Sequence, residues 1–124
     1  LSSANILNYI GFKKNIHEYI SKCHCVVLPS YREGLSKVLL EGMSVGRPII
    51  TTNVPGCSQL VQKNGFTVEP KSINSLLGSI IKFINLDNES KLIMGEKSRS
   101  IVEQNYNVEI ITETYLQIIS EKLK

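Results

Sequence analysis

A chain of 124 residues, 42% hydrophobic and 20% charged, can bury one core without a disulfide or metal staple. Its net charge of +3 comes from scattered basic residues with few aromatics among them, which argues against nucleic acid as a partner. No apolar run reaches the length of a bilayer span, and the first residues lack the basic start and apolar core of a signal peptide.

The chain opens without an initiator Met, so a longer parent protein is expected. Three cysteines (Cys23, Cys25 and Cys57) make an odd count, which points to a reducing compartment. Cys23-His24-Cys25 mimics a metal pair. On a strand, however, His24 would face away from both thiols, and no second ligand pair exists, so no metal is expected.

Ile6-Leu7-Asn8-Tyr9-Ile10 has the pattern of a short strand, ended by Gly11. Asn15 is expected to cap a helix through Lys22, with Ile16, Tyr19 and Ile20 on its apolar side. Cys25 to Leu28 is a continuous apolar run, as in a central strand covered on both faces. A helix from about Ser36 to Val45 follows, with Ser36 as N-cap, Gly46 as stop and Pro48 barring continuation. Ile49-Ile50-Thr51-Thr52 is the next buried strand. Val54-Pro55-Gly56-Cys57 is a turn, Ser58 to Val61 a short helix, and Phe66-Thr67-Val68 a last strand introduced by Asn64-Gly65.

Beyond Pro70 the period becomes helical. Ile73, Leu76, Leu77, Ile80, Ile81 and Ile84 predict an amphipathic helix from Ser72 to Asn85. A second runs from Asn88 towards Glu103, and a third from Val108 to Lys122 with Ile111, Tyr115, Ile118 and Ile119 on one face. Strands alternating with helices imply an α/β fold: a Rossmann-like parallel sheet flanked by helices, with right-handed crossovers and a helical C-terminal tail. No repeat or low-complexity linker divides residues 1–124, which read as one domain.

The chemistry concentrates in Glu33-Gly34-Leu35-Ser36-Lys37-Val38-Leu39-Leu40-Glu41. This segment leaves a buried strand and enters a helix, so its loop lies at the carboxyl end of the sheet, where ligands bind. The first turn of that helix offers unpaired N–H groups and a positive dipole end, and Gly34 lets the backbone approach a ligand. Glu41 lies about 7–8 Å farther along the axis at ~1.5 Å per residue, comparable to the span from a diphosphate to the ribose hydroxyls of a nucleoside. A carboxylate can accept from both vicinal hydroxyls. Glu33 would face the other side of the phosphates, towards a sugar. The bland reading makes Glu33 a solvated loop acid and Glu41 an exposed helix residue. Against it, Glu41 sits among Val38, Leu39, Leu40 and Met43, where an acid needs a partner.

Leu28-Pro29-Ser30-Tyr31-Arg32-Glu33-Gly34, continuing through Leu39-Leu40-Glu41-Gly42-Met43 to Gly46-Arg47-Pro48-Ile49-Ile50, resembles the signature of retaining glycosyltransferases of family four, which have the two-domain GT-B fold. Tyr9-Ile10-Gly11-Phe12 resembles the family's strand near the nucleobase. Val54-Pro55-Gly56-Cys57 and Asn64-Gly65 through Pro70 resemble the segments after its motif. The form is most similar to bacterial enzymes of capsule and O-antigen synthesis.

The resemblance implies a C-terminal donor-binding domain of a hexosyltransferase, whose partners are a nucleotide-sugar, in the first instance UDP-linked, and a glycan or lipid-linked acceptor. It implies that Glu33 is the catalytic-site acid touching the donor sugar, and that Gly34, Leu35 and Ser36 offer backbone N–H groups to sugar and diphosphate. Val38 or Leu39 would then flank the nucleoside and Glu41 would hold the ribose. No cofactor and no metal are implied: the nucleotide-sugar is a substrate, and helix dipole and basic side chains serve the leaving diphosphate. The family's phosphate-binding Arg/Lys pair and its acceptor domain are expected upstream of Leu1, so this fragment alone is expected to be inactive.

Some positions depart from the pattern. Ser36 stands where many members carry Pro, Gly42 where they carry Ala, at up to ~1 kcal/mol to the helix, and Gln59 where they carry Glu. A cytoplasmic location is expected, with peripheral contact to the inner face of the cytoplasmic membrane. Self-association through uncovered Ile110, Ile111, Ile118 and Leu123 is also expected. His17 and His24 are not expected to be catalysts. A nucleotide-sugar epimerase of the same fold and a nucleotide-binding interaction domain are the alternatives.

Overall fold

The computed structural model describes residues 6–123. Three parallel strands, β1 (Val26–Leu28), β2 (Ile49–Thr52) and β3 (Gly65–Val68), pair in the order β1-β2-β3. Val26 faces Ile49 across the first pair, and Ile49 faces Gly65 across the second. A short helix α1 (Ile16–Ile20) precedes β1, and α2 (Lys37–Ser44) carries the chain from β1 to β2. The β2–β3 connection holds a 3₁₀ turn at Ser58–Leu60. Helices α3 (Ile73–Ile84), α4 (Asn88–Asn105) and α5 (Val108–Lys122) follow β3.

Alternation along β2 builds two cores. Ile49 joins Leu39, Met43, Val54, Cys57, Leu60 and Ile101 on the face covered by α2 and α4. Ile50 joins Val68 and Phe83 on the opposite face, with Leu76 and Ile80 of α3 packed alongside. All four residues of β2 are buried, as a middle strand requires.

Helix α2 starts where expected. Ser36 is its N-cap, and the buried hydroxyl accepts the Leu39 N–H at 3.4 Å. It stops because Gly46 takes φ +74° and, with Arg47, returns N–H groups to the Met43 and Gly42 carbonyls, both at 3.0 Å. Gly42 also has a packing reason: a Cβ there would lie 2.6 Å from Val26 Cγ2, so glycine lets α2 lie close on β1. Ahead of β3, the buried Asn64 amide donates to the Leu60 carbonyl and to Ser98 Oγ, each at 3.1 Å. Those bonds tie the turn to α4.

Four expectations need correction. Ile6–Ile10 is not a strand but irregular and exposed (Tyr9 91%); no described strand lies beside it, and a strand cannot satisfy its backbone alone. β1 is an edge of the described sheet, not its centre, and Val27 is 41% exposed. Val27 shares its face with Ile50, but on this face α3 packs chiefly against β3. α1 ends at Ile20 and not at Lys22; Asn15 does stand at its N-cap, but its side chain makes no capping bond to the backbone and its amide donates to the Glu18 carboxylate at 2.8 Å. On α3 the sheet-facing residues are Leu76, Ile80 and Phe83, while Ile73, Leu77, Ile81 and Ile84 are exposed.

Helix α5 has the expected amphipathic pattern and no buried residue. No described helix is long and apolar enough to cross a membrane. All three cysteines are free, Cys57 being buried and Cys23 exposed, and burial pushes the Cys25 thiol up to about 12.

Candidate functional site

The loop between β1 and α2 is irregular but fixed. From β2, Thr51 Oγ1 donates to the Leu28 carbonyl at 2.9 Å and Thr52 Oγ1 donates to the Ser30 carbonyl. These bonds carry the β1–β2 connection past the last residue of β1. The Ser30 hydroxyl in turn lies 3.1 Å from both Glu33 Oε1 and the Arg32 carbonyl, so its single proton can orient the half-buried Glu33 carboxylate. Farther along, the Ser36 N–H donates to the Gly56 carbonyl at 3.1 Å. Gly56 has φ +87°, and a Cβ there would lie 1.5 Å from the Gly34 carbonyl oxygen. Only glycine permits the two loops to meet backbone to backbone.

Glu41 is half-buried on α2 and lines an open cavity of about 510 Å³ with Gly11, Phe12, Lys13, Lys14, Ile16 and Lys37. Lys37 and Glu41 are four residues apart and so share a helix face. The cavity therefore brings three lysines, beside the first turn of α2, together with one glutamate, although the Lys13 ammonium lies over the Tyr19 ring, 5.8 Å from its centroid. The cations and the dipole suit an anion such as a diphosphate, and the carboxylate suits hydroxyl donors.

The segment divides. Glu41 lines this cavity, whereas Glu33 turns towards Ser30 outside its lining. Gly34 and Leu35 are exposed, and their N–H groups take no protein acceptor among the described residues. Ser36 is different: it is 1% exposed and its N–H is spent on Gly56, so it has no N–H to offer a donor. Leu39 is 0% exposed and belongs to the core with Met43 and Ile49, so of the two expected nucleoside-flanking residues only Val38 retains surface. Helical spacing carried that signal, since Leu39 and Met43 share the core face.

The basic residues Lys13 and Lys14 escaped the sequence reading, although they directly follow the nucleobase-like segment ending at Phe12. Arg47 is elsewhere: it precedes β2 at the amino end of the sheet and donates from Nη2 to the Ser21 carbonyl at 2.5 Å. His17 and His24 lie outside both the Glu33 loop and the Glu41 cavity. Among the described residues no group of three or more His, Cys, Asp or Glu could hold a metal ion.

The profile of the family described as Glycosyl transferases group 1 matches residues 3–108. An uncharacterized glycosyltransferase of Haemophilus influenzae is 34% identical over 116 residues, covering 91% of this chain and 32% of that protein. The UDP-Gal:α-D-GlcNAc-diphosphoundecaprenol α-1,3-galactosyltransferase of Escherichia coli is 27% identical over 119 residues, covering 91% of this chain and 30% of that protein. In fold, the chain superposes on the crystal structure of Anabaena HepE in complex with UDP with a TM-score of 0.89 and 24% identity, over 97% of this chain and 34% of the other. The sheet, flanking helices and neighbours are those of the GT-B glycosyltransferase class. The chain belongs to the group 1 glycosyltransferase family and spans about a third of the length of these relatives.

Proposed function

We propose that residues 1–124 belong to the donor-binding domain of a retaining hexosyltransferase that takes a UDP-linked sugar and serves a glycan or lipid-linked acceptor held by the rest of the protein. The observation that carries this reading is Glu41 lining a cavity with Lys13, Lys14 and Lys37 next to the first turn of α2. In it the diphosphate lies by the lysines and the helix start, where Lys37 and Val38 keep the free N–H groups of a first turn. Glu41 accepts from the ribose hydroxyls, and Val38 flanks the nucleoside. Gly34 and Leu35 direct N–H groups at the donor sugar, and Glu33, steered by Ser30, accepts from its hydroxyls.

Charge that develops on the leaving diphosphate is stabilised by dipole and ammonium groups already in place. No metal is needed for that role. The E. coli relative, named for a UDP-Gal donor and a diphosphoundecaprenol acceptor, supports a UDP-sugar and a lipid-linked acceptor here. A cytoplasmic site of action at the inner membrane face suits such an acceptor.

The test is donor consumption by the full-length protein across a panel of UDP-sugars, with and without a diphosphoundecaprenol-linked saccharide, and NMR of the product anomer. Consumption that depends on acceptor, with retention, is expected. Sugar interconversion without acceptor would replace this reading with an epimerase. UDP binding with no turnover would leave a binding module. Glu33→Ala should abolish transfer while leaving free UDP affinity within about twofold, because the sugar and not the nucleoside is touched; equal losses in both would contradict that division.

A further inference from the structure

The turn that presses on the Glu33 loop is itself held by one side chain that has no assigned role. The Gly56 N–H donates to Gln59 Oε1 at 2.9 Å, while the Gly56 carbonyl accepts the Ser36 N–H at 3.1 Å. The two bonds place Gly56 between Gln59 and the start of α2. Its Cα packs so closely on the opposing loop that a Cβ would lie 1.5 Å from the Gly34 carbonyl oxygen and 2.6 Å from that of Glu33. The rest of the turn is ordinary: the Val54 carbonyl accepts the Cys57 and Ser58 N–H groups at 3.2 and 3.0 Å. Those bonds close the turn but do not fix the orientation of the peptide entering Gly56. Gln59 does, because a left-handed residue (φ +87°) has an N–H that the surrounding turn leaves unanswered.

We propose that Gln59 is a positioning residue of the donor site. By accepting the Gly56 N–H it sets the turn against the Glu33 and Gly34 carbonyls, and so aims the Glu33 carboxylate and the Gly34 and Leu35 N–H groups at the donor sugar. Gln59 is exposed and is outside the lining of the Glu41 cavity, so its effect falls on the sugar end of the donor and not on the nucleoside. The requirement is an acceptor oxygen at this reach, which a glutamate would also supply and a leucine would not. The proposal rests on the donor-site reading given above.

The experiment compares Gln59→Leu and Gln59→Glu in the full-length protein. For Gln59→Leu, kcat for transfer should fall roughly tenfold or more, as for a reacting group displaced by a fraction of an ångström, while UDP affinity stays within about twofold. Gln59→Glu should recover kcat to within about threefold of the parent, because the acceptor oxygen is restored. An unchanged kcat in Gln59→Leu overturns the proposal. So does a loss of UDP affinity in step with kcat, or a Gln59→Glu variant as poor as Gln59→Leu.

Amide hydrogen exchange keeps the question decidable if the parent protein consumes no sugar nucleotide, an outcome that would sink the donor reading. Gln59→Leu should then speed exchange at Gly56 and Ser36 while β2 stays protected. Equal exchange at these two amides in variant and parent, or faster exchange everywhere, overturns the positioning role.

Discussion

The Glu33 loop and helix α5 divide order between them in opposite ways. The loop has no repeating backbone pattern, yet Thr51, Thr52, Ser30 and Gly56 fix it at successive points along its length. α5 has fifteen helical residues and a cap at Asn107, yet not one of them is buried. Hydrogen bonds within a helix make it regular without attaching it to anything; attachment comes from side chains that enter a core or answer another element's backbone. The groups proposed to bind the donor lie in the attached region, and a site needs that attachment more than it needs regularity.

Substitutions that detach the loop should therefore be costly, and those on α5 almost free. The largest effect is expected for Gly56→Ala, which meets both a left-handed φ and a backbone oxygen at 1.5 Å. It should destabilise the protein by about 2–4 kcal/mol in urea unfolding and remove transfer activity; a loss below about 0.5 kcal/mol would mean that the two loops do not interlock. Next comes Glu41→Ala, for which UDP binding measured calorimetrically should weaken by roughly 1.5–3 kcal/mol. Unchanged affinity would defeat the assignment of the cavity.

Asp87 caps α4 by accepting the Ser90 N–H at 2.8 Å, and hydrogen bonding from the Ser90 side chain first, then from this N–H, holds its carboxyl below the usual carboxylate range. A lowered folded-state value means that the stabilisation is complete above the unfolded value, near pH 4, and is lost as pH falls through the folded one. Thermal melts of Asp87→Ala should show a small deficit at neutral pH that vanishes in acid, and a deficit that persists in acid would point to packing instead. Smallest of all, a double replacement of Ile111 and Ile118 by Ser should leave unfolding free energy within about 0.5 kcal/mol. A large loss of stability would mean that α5 is packed after all.

Much of this was legible in the sequence. The order of strand, loop, helix and strand from Cys25 to Thr52, the Ser36 cap and the Gly46 stop all depend on neighbours within a few residues, and the structure has them near the expected bounds. Contacts between distant segments were not legible. Nothing local in Ile6–Ile10 reveals that no described strand lies beside it, and nothing in Ser36 reveals that its N–H is spent on Gly56, twenty positions on. The cavity was half readable. Glu41 stood out as an acid in an apolar helix, whereas Lys13 and Lys14 reach it only through tertiary folding.

Strand β2 has two halves with different rules of replacement. Ile49 and Ile50 answer to volume alone, so other aliphatic residues of similar size should be tolerated there. Thr51 and Thr52 match valine in shape, but each hydroxyl serves a carbonyl on the neighbouring strand or just past its end. An isosteric Val would keep the packing and take one donor away from the Leu28 or Ser30 oxygen. A conservative exchange by size would thus be a disruptive one by polarity, and only where the strand nears its carboxyl end.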